Sequence, residues 1–571
     1  MARQRVTCRR RLSSRLFRAD WFLAAAFVAA CLLFGVGVSN PEIPRWAALH
    51  VFAALALLVC WRGFELPKGA LWGLGLFVWA GLSLLWSVDW RGGAVELTHG
   101  LSLLAVFLVA ACGGRSRIEM LARCWAPSIV TGAAILCFAF PQWFGGFGNE
   151  NFVVEFFAIA LPFLILARGR ALIVAATVSG LAGLWFIGST PSNLKWLLLA
   201  SFGLAGLVFL YRCGFRWAAW IIGVAAVAGG LATGVIGPNM MGSVSARFEI
   251  AFNTLAMWLD SPLWGHGLGS FNVVYPNYQE RHFAVFPQMG TVFGADMSYY
   301  AGAAHNEYAQ VLADYGLIGF FLAGGLVWSL ARIPRDRLDI AALGSLFVVA
   351  AFSLVEFPLQ NPQTGIIAAF AAGVYLNGRE SIKVPRFAGL IAVPVVAAAC
   401  VVSVLTFQSW RLFSVTEQYA AEDPYNGLLA NFAAYQSFPW PRQFRNQLAV
   451  SLNAAISKEP DTIRIEPDAA DMVYRIAEGA SGRATVIELG RIEYLLMAGR
   501  QVERFGEIEE RLSWLRDNAS RHAAVWLVEG KWALAMGDKD RARQAATVAQ
   551  TLPSYLLGYQ DYINTIMAAT E

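Results

Sequence analysis

The sequence predicts an all-α, polytopic membrane protein that ends in an α-helical domain outside the membrane. Three observations predict this fold class. Hydrophobic residues make up 57% of the 571 residues and charged residues only 15%, which is unlike the composition of a soluble domain. Apolar runs near twenty residues long recur up to residue 407. From about residue 408 the pattern changes to helical stretches of mixed charged and apolar residues.

Thirteen apolar runs are long enough for membrane-spanning helices, which predicts twelve or thirteen spans. Nine runs precede a long polar segment, at 21–38, 46–62, 70–86, 97–112, 125–140, 152–167, 170–188, 194–211 and 217–236. Four runs follow it, at 304–330, 340–358, 362–377 and 387–407. A cleaved signal peptide is the alternative for the first run, but that run is too long for one and lacks a small-residue cleavage site.

The positions of Lys and Arg predict the topology, because cytoplasmic connections are enriched in them. Seven arginines precede residue 21, which favours a cytoplasmic N-terminus. The connections that alternation then assigns to the cytoplasm hold the cations, namely Arg62 and Lys68; Arg115, Arg117 and Arg123; Arg168 and Arg170; Arg212 and Arg216; Arg332, Arg335 and Arg337; Arg379, Lys383 and Arg386. The polar segment and the C-terminal region are therefore expected outside, although a change of one span would reverse the C-terminal region.

These patterns divide the chain into five predicted regions. They are a cytoplasmic basic tail at 1–20, nine spans at 21–236, a large outer loop at 237–303, four spans at 304–407 and an outer α-helical domain at 408–571.

The C-terminal region contains a weak internal repeat. Leu489–Gly499 (LGRIEYLLMAG) aligns with Leu527–Gly537 (LVEGKWALAMG) at an offset of 38 residues, and Tyr494 matches Trp532. A helix-turn-helix repeat near this period resembles a degenerate tetratricopeptide unit, which can present a groove to a protein or polysaccharide partner. A small helical bundle with coincidental spacing is the alternative.

Composition and motif searches exclude several functions. The net charge of +5 reflects the arginines before the first span, so a membrane anchor rather than nucleic-acid binding is expected. The eight cysteines lack metal-ligand spacing, and none lies in a segment predicted to be outside, so no disulfide framework is expected there. Neither paired metal-ligand spacing nor a nucleotide-phosphate motif appears, and we expect no metal or other cofactor.

Polar residues in or beside the spans are the best candidates for chemistry, because an unpaired polar group in lipid is costly. All of those selected are predicted at outer span ends, and interfacial snorkelling is the alternative explanation for each. They are Asp89, Glu96, Asn149, Asn151, Glu155, Asn193, Lys195, Arg247, His305, Asn306, Glu307, Glu356, Gln360 and Asn361.

His305 and Arg247 are the strongest candidates, and we expect them to share one active site at the membrane surface. His305 is predicted in the first turn of a long apolar helix, where the helix dipole disfavours protonation of the imidazole and leaves it able to act as a base. Arg247 is predicted to open an amphipathic helix with Phe248, Ala251, Leu255 and Trp258 on one face. Its guanidinium is suited to a phosphate group.

Together these residues resemble the O-antigen ligase and polysaccharide polymerase superfamily of bacterial membrane glycosyltransferases. The resemblance covers roughly residues 20 to 405 and depends on four elements: Arg247, the run from Asp260 to Phe271 (DSPLWGHGLGSF), His305–Tyr308 (HNEY) and Gly316–Gly319 (GLIG). Weaker support comes from Gly148–Asn151 (GNEN) and Glu356–Leu359 (EFPL).

The resemblance implies transfer of a glycan from an undecaprenyl-diphosphate carrier on the periplasmic face of the inner membrane, by inverting chemistry without a metal or a nucleotide sugar. It implies that Arg247 grips the diphosphate and that His305 activates the acceptor hydroxyl. The family supplies a second arginine where this chain has Ser192-Asn193-Leu194-Lys195, so Lys195 is the candidate substitute. Other expected substrate contacts are Asn149, Asn151, Asn306, Tyr308 and Glu356.

A ligase that delivers glycan to a lipid A-core acceptor is the leading interpretation. The alternatives are an O-antigen or exopolysaccharide polymerase, a protein O-oligosaccharyltransferase, and a transporter or flippase without chemistry. A transporter would show ionisable residues deep in several spans and helices broken near the midplane.

Overall fold

The computed structural model describes residues 20–33, 38, 40–60, 65–139, 150–166, 238–285, 301–384, 388–419, 423–458, 467–481, 485–520, 522–552 and 559–571. The predicted spans 170–188, 194–211 and 217–236 lie outside these residues. The regular elements described are helical apart from two short paired strands, which confirms the helical fold class.

Six helices are described before residue 167. They are α1 (Asp20–Leu32), α2 (Glu42–Cys60), α3 (Ala70–Ser83), α4 (Trp90–Cys112), α5 (Arg115–Ala139) and α6 (Glu150–Ala160), the last continued by a 3₁₀ helix at Leu161–Leu166. Strand β1 is Glu65–Pro67.

The middle of the chain contributes five helices and the second strand. They are α7 (Pro238–Asp260), α8 (Phe271–Val285), α9 (Glu307–Leu330), α10 (Arg337–Phe352), α11 (Pro362–Leu376) and β2 (Ser381–Lys383). The strands pair antiparallel, with Leu66 opposite Ile382.

Nine helices follow. They are α12 (Ala388–Tyr419), α13 (Pro424–Ser437), α14 (Arg442–Lys458), α15 (Pro467–Ser481), α16 (Thr485–Met497), α17 (Phe505–Ala519), α18 (Ala523–Ala535), α19 (Lys539–Thr551) and α20 (Tyr559–Thr570).

Four of the described helices are long and apolar enough to cross a membrane. These segments are Glu42–Val59, Trp90–Cys112, Glu307–Leu330 and Val393–Val415. Shorter apolar helices occur at Asp20–Leu32, Ala70–Ser83, Phe152–Leu166 and Pro362–Leu376. The total of twelve or thirteen spans therefore stays a prediction.

The contacts divide the chain into two compact units. Unit 1 contains the described residues within 1–83, 94–241 and 305–407, and unit 2 contains those within 84–93, 242–304 and 408–571. The short segment 84–93 thus groups with the polar segment and the C-terminal region, which its sequence did not predict.

Helix α11 is buried on almost its whole surface, since Ala369 is its one residue that is not buried. Phe370 packs edge-on to Phe27 at 5.2 Å between ring centroids, and Phe27 stacks on Trp125 at 4.5 Å. Full burial of such rings is a main source of stability in a packed core. Because α11 is packed in this core, the polar residues at its start are also buried.

Gly316 interrupts α9, because its backbone leaves the helical region, at φ 64° and ψ −166°. The positive φ favours glycine there. At Gly319 an added Cβ would lie 2.2 Å from Cβ of Tyr315, so this position also requires glycine. The Trp79 indole donates to the Tyr315 carbonyl at 2.9 Å beside the break. The Gly316–Gly319 motif therefore shapes a kink.

Unit 2 includes the repeated segment, whose two copies have matching helix bounds. Helix α16 and helix α18 are related by the same 38-residue offset at both ends. Each is followed by a glycine with positive φ, Gly499 at 66° and Gly537 at 80°. Lys531 contacts Glu493 at 3.2 Å, which joins equivalent positions of the two copies. The repeat is thus a pair of similar local structures, and its tetratricopeptide character stays a proposal.

Candidate active site

The first candidate site lies where α9 begins. Asn306 is the N-cap, and its side-chain oxygen accepts from the Ala309 N–H at 2.9 Å. His305 precedes the cap and has φ +48°, an unusual conformation for a residue with a side chain. The prediction that His305 lies in the first turn of the helix is therefore wrong, because the helix starts at Glu307.

His305 is held by a buried carboxylate. Its Nδ1 lies 3.0 Å from Oε2 of Glu356, and 21% of the His305 side chain is exposed against 1% for Glu356. The Phe357 ring meets the imidazole edge-on at 5.0 Å between centroids. A carboxylate at Nδ1 favours the tautomer that carries the proton there, which leaves Nε2 as a proton acceptor. The interaction observed at the His305 ring is thus a contact with a carboxylate.

The other predicted contacts near His305 have structural hydrogen bonds. Asn306 donates from Nδ2 to the Leu354 carbonyl at 3.1 Å, and the Tyr308 hydroxyl donates to the Ala350 carbonyl at 3.0 Å. Glu307 accepts from the Leu359 N–H at 2.9 Å. These bonds tie the start of α9 to the segment that carries Glu356, so they hold the His305–Glu356 pair in place.

Two further polar residues are buried where α11 begins, five residues after Glu356. Asn361 is 1% exposed and Gln363 is 0% exposed. Among the described residues, neither the Nδ2 of Asn361 nor either amide atom of Gln363 has a hydrogen-bond partner. The sequence selected Asn361 as an interfacial residue but missed Gln363, because its burial depends on how α11 packs.

Arg247 lies in the third turn of α7, so the prediction that it opens this helix is wrong. The exposed apolar face beyond it is real and wider than predicted. Phe248 is 73% exposed, Phe252 55% and Leu259 64%. The Arg247 side chain is partly exposed.

The opposite face of α7 buries polar groups that the sequence analysis missed. Glu249 is 7% exposed and Asn253 1%, and Asn253 donates to the Tyr275 hydroxyl at 3.4 Å. Burial raises the pKa of Glu249 to about 7. The four-residue spacing of Glu249 and Asn253, out of phase with Phe248 and Phe252, was the available signal.

The glycine-rich run between α7 and α8 is a structural turn. Gly265, Gly267 and Gly269 have φ values of 68°, 90° and 84°. An added Cβ on Gly269 would lie 2.5 Å from the backbone nitrogen of Gly93. His266 Nε2 lies 2.8 Å from the Met257 carbonyl and so satisfies the end of α7. Glycine is required here by close backbone approach, and an α-helix rather than a strand precedes the turn.

The remaining predicted residues have different outcomes. Asn149, Asn193 and Lys195 lie outside the described residues, and for Asn151 only the helical backbone is described. Arg247 belongs to unit 2 and His305 to unit 1. A shared active site for these two residues stays a prediction.

Some buried polar groups lie inside long apolar helices and were not among the residues selected from the sequence. His50 lies in the middle of α2 at 4% exposure, with Nδ1 2.6 Å from the Ser403 hydroxyl. Its ring stacks with that of His99 on α4, at 5.4 Å between centroids. Asp314 is 3% exposed beside the kink of α9 and accepts from Gln310 at 3.0 Å. These residues escaped notice because each is a single polar letter inside an apolar run.

Within the described residues, no group of three or more His, Cys, Asp or Glu side chains is arranged to hold a metal ion. The fold and site thus define a helical protein with membrane-length helices and a carboxylate-held histidine. No family model matches the chain, no curated protein is significantly similar to it, and no solved structure matches its fold.

Proposed function

We propose that the protein is a glycosyltransferase of the bacterial inner membrane that moves a glycan from an undecaprenyl-diphosphate carrier to an acceptor hydroxyl on the periplasmic face. The contact between His305 and Glu356 carries this proposal. A partly exposed imidazole with a buried carboxylate at one nitrogen is the arrangement expected of a general base.

The reaction is a single displacement at the anomeric carbon. The acceptor oxygen forms a bond to that carbon, and the bond from the carbon to the diphosphate oxygen breaks with its electron pair. His305 Nε2 takes the acceptor proton, and Glu356 stabilises the resulting imidazolium. Arg247 binds the departing diphosphate in this proposal, since a guanidinium offers a permanently charged fork.

Contacts within unit 1 support the proposed topology. The paired strands β1 and β2 belong to two connections that the positive-inside rule assigns to one side. Arg115 also contacts Asp336, which joins two more connections of that side. His305 precedes α9 at the other end, and 24 helical residues extend about 36 Å, enough for a hydrocarbon core of about 30 Å.

The proposed acceptor is a lipid A-core, which makes the protein an O-antigen ligase. A polymerase of O-antigen or exopolysaccharide, or a protein O-oligosaccharyltransferase, uses the same donor chemistry with another acceptor. The helical domain after residue 408 would bind the polysaccharide or a protein partner in any of these cases.

A transporter or flippase is a second candidate, and one observation favours it. Asp314 is buried beside the broken turn of α9, and buried ionisable residues at broken helices are typical of ion-coupled transporters. Such a protein would move lipid-linked glycan across the membrane without changing it.

Deletion of the gene, followed by analysis of lipopolysaccharide and lipid-linked glycan, tests these proposals. Loss of long chains from lipid A-core, with lipid-linked polymer accumulating on the periplasmic face, is the result expected of a ligase. A single repeat attached to the core indicates a polymerase. Lipid-linked glycan trapped on the cytoplasmic face would overturn the glycosyltransferase and favour the flippase.

A further inference from the structure

We propose that the first turn of α11 binds the diphosphate group of the lipid-linked donor, through the side-chain amides of Asn361 and Gln363 and the positive charge of Arg45. The identity of the donor rests on the proposed function. The chemistry of the ligand, a phosphate-class anion next to sugar hydroxyls, is argued from the side chains below.

The start of α11 offers backbone donors. The helix has 15 residues, and its N-cap Asn361 makes no side-chain capping bond. Pro362 has no N–H, so the donors of this end begin at Gln363 and Thr364. Uncapped helix N-termini bind phosphate because their N–H groups point outward and the helix dipole is positive there.

The two amides provide the second and independent observation. Both are almost completely buried, and their nitrogens have no hydrogen-bond partner within the described residues. Burial of an unsatisfied amide costs free energy, so such groups call for an explanation. A phosphate oxygen would satisfy both nitrogens. The Gln363 oxygen is also unpartnered, and it would accept from a sugar hydroxyl beside the phosphate.

Arg45 brings positive charge to the same region. Its side chain is fully buried on α2, which packs against α11, and its Nε donates to the Leu33 carbonyl at 2.8 Å. The guanidinium is within electrostatic range of the Cys31 thiol, whose sulfur lies 3.9 Å from the Gln363 carbonyl oxygen. Arg45 would thus supply the second cation for which the sequence offered Lys195.

The carboxylates of this region already have partners. Glu356 contacts His305, and Glu307 accepts from the backbone of Leu359. Glu42 lies in electrostatic range of Arg45, and Glu155 also has an interaction of its own. None of them therefore satisfies the amides of Asn361 and Gln363. Since Asn361 follows Glu356 by five residues, the proposed anion site adjoins the proposed base.

The test is the Gln363→Met variant of the purified full-length protein, which replaces the amide by an apolar group of similar size. Binding of undecaprenyl diphosphate and of inorganic pyrophosphate would be measured by calorimetry in detergent. We expect the Kd for the lipid to rise roughly 10-fold or more, as for loss of a hydrogen bond to a charged group. Gln363→Glu, which adds repulsion, should weaken binding further.

The melting temperature separates this role from a structural one. Gln363→Met should melt at the same temperature as the wild type or above it, because it removes an unpartnered buried amide. Asn431→Leu is the matched control. Asn431 in α13 is also fully buried with both amide atoms unpartnered in the described residues, and its replacement should leave anion binding unchanged.

The outcomes are distinct. Wild-type binding of the lipid that Gln363→Met leaves unchanged would overturn the anion site and leave the proposed function standing. Binding of pyrophosphate that depends on Gln363, without binding of the lipid, would support the anion site and overturn the lipid donor. A wild-type protein that binds neither the lipid nor pyrophosphate would overturn both the anion site and the lipid donor.

Discussion

Two regions of the molecule differ in whether their buried polar side chains have partners within the protein. In the C-terminal helices, Arg491 is 5% exposed and pairs with Asp471 at 2.6 Å and Glu507 at 2.8 Å. At the start of α11, Asn361 and Gln363 are equally buried, yet their amide nitrogens have no partner in the described residues. In the first arrangement the buried charge has two oppositely charged partners, although Nη1 of Arg491 has no hydrogen-bond partner in the described residues. In the second arrangement neither amide nitrogen has a partner there, and we propose that a ligand supplies one.

We interpret this difference as one between residues that stabilise the fold and residues that bind a ligand. Burial alone would raise the pKa of Asp471, but the hydrogen bond and charge of Arg491 outweigh it and lower that pKa. The charges of this network are thus used to hold helices together. The His305–Glu356 pair lies between these two cases. Nδ1 of His305 contacts Glu356, but 21% of the His305 side chain remains exposed. Under the proposed function, the unpartnered amides and this partly exposed imidazole together form the substrate site.

The largest effect on stability is expected for Arg491→Met. The substitution removes both ion pairs of Arg491, while Asp471 keeps its contact with Arg504 and Glu507 its contact with Arg511. We therefore expect a cost of about 3 kcal/mol, at the lower end of the range for breaking a buried ion pair. Hydrogen exchange of the full-length protein should show faster exchange across α15 to α17. Lys531→Met is the control, because Lys531 and its partner Glu493 are both partly exposed, at 36% and 41%. Equal protection in both variants would contradict the assignment of Arg491 as a structural residue.

A smaller effect, on activity alone, is expected for Glu356→Gln. The amide can donate to Nδ1 of His305 and so favours the tautomer whose Nε2 carries the proton and cannot act as a base. We expect the transfer rate to fall roughly 100-fold, or about 2.7 kcal/mol, with a changed pH profile and little change in substrate KM. A higher substrate KM with an unchanged pH profile would show that Glu356 contacts the substrate instead.

The smallest effect concerns Glu249. Its pKa of about 7 lies above the ordinary value of 4.5, so the neutral form is favoured in the folded state. The stabilisation from Glu249 is therefore full at low pH and is lost as pH rises through 7. Between pH 5 and pH 8 we expect local unfolding free energy at α7 to fall by about 1–2 kcal/mol, and Glu249→Gln to flatten this slope. Hydrogen exchange at both pH values measures it, and an unchanged slope in the variant would refute the assignment.

Much of the fold was predictable because composition and apolar run length report directly on long apolar helices. The residues at which helices start were harder to predict from the sequence. Asn306 is a favourable N-cap residue, and that signal would have placed His305 before α9 rather than inside it. Arg247 falls inside α7 because the helix extends back to Pro238, and a proline at the first helical position was the available start signal.

The candidate site was predictable only one residue at a time. His305 and Glu356 were both selected, but their contact spans 51 residues of chain, and no spacing rule gives such a pair. Gln363 and Arg45 were missed because their importance comes from burial, which tertiary packing determines. The sequence gives the chemistry of each side chain, but tertiary packing determines which side chains have hydrogen-bond partners and which do not.

The most direct test of the proposed chemistry is the rate of glycan transfer by purified His305→Ala protein, measured with an undecaprenyl-diphosphate-linked glycan and a lipid A-core acceptor. Loss of the base should lower the rate by roughly 10²–10⁴-fold, while donor binding and the melting temperature stay close to those of the wild type. A variant that transfers glycan at the wild-type rate would contradict the role of His305 as the base.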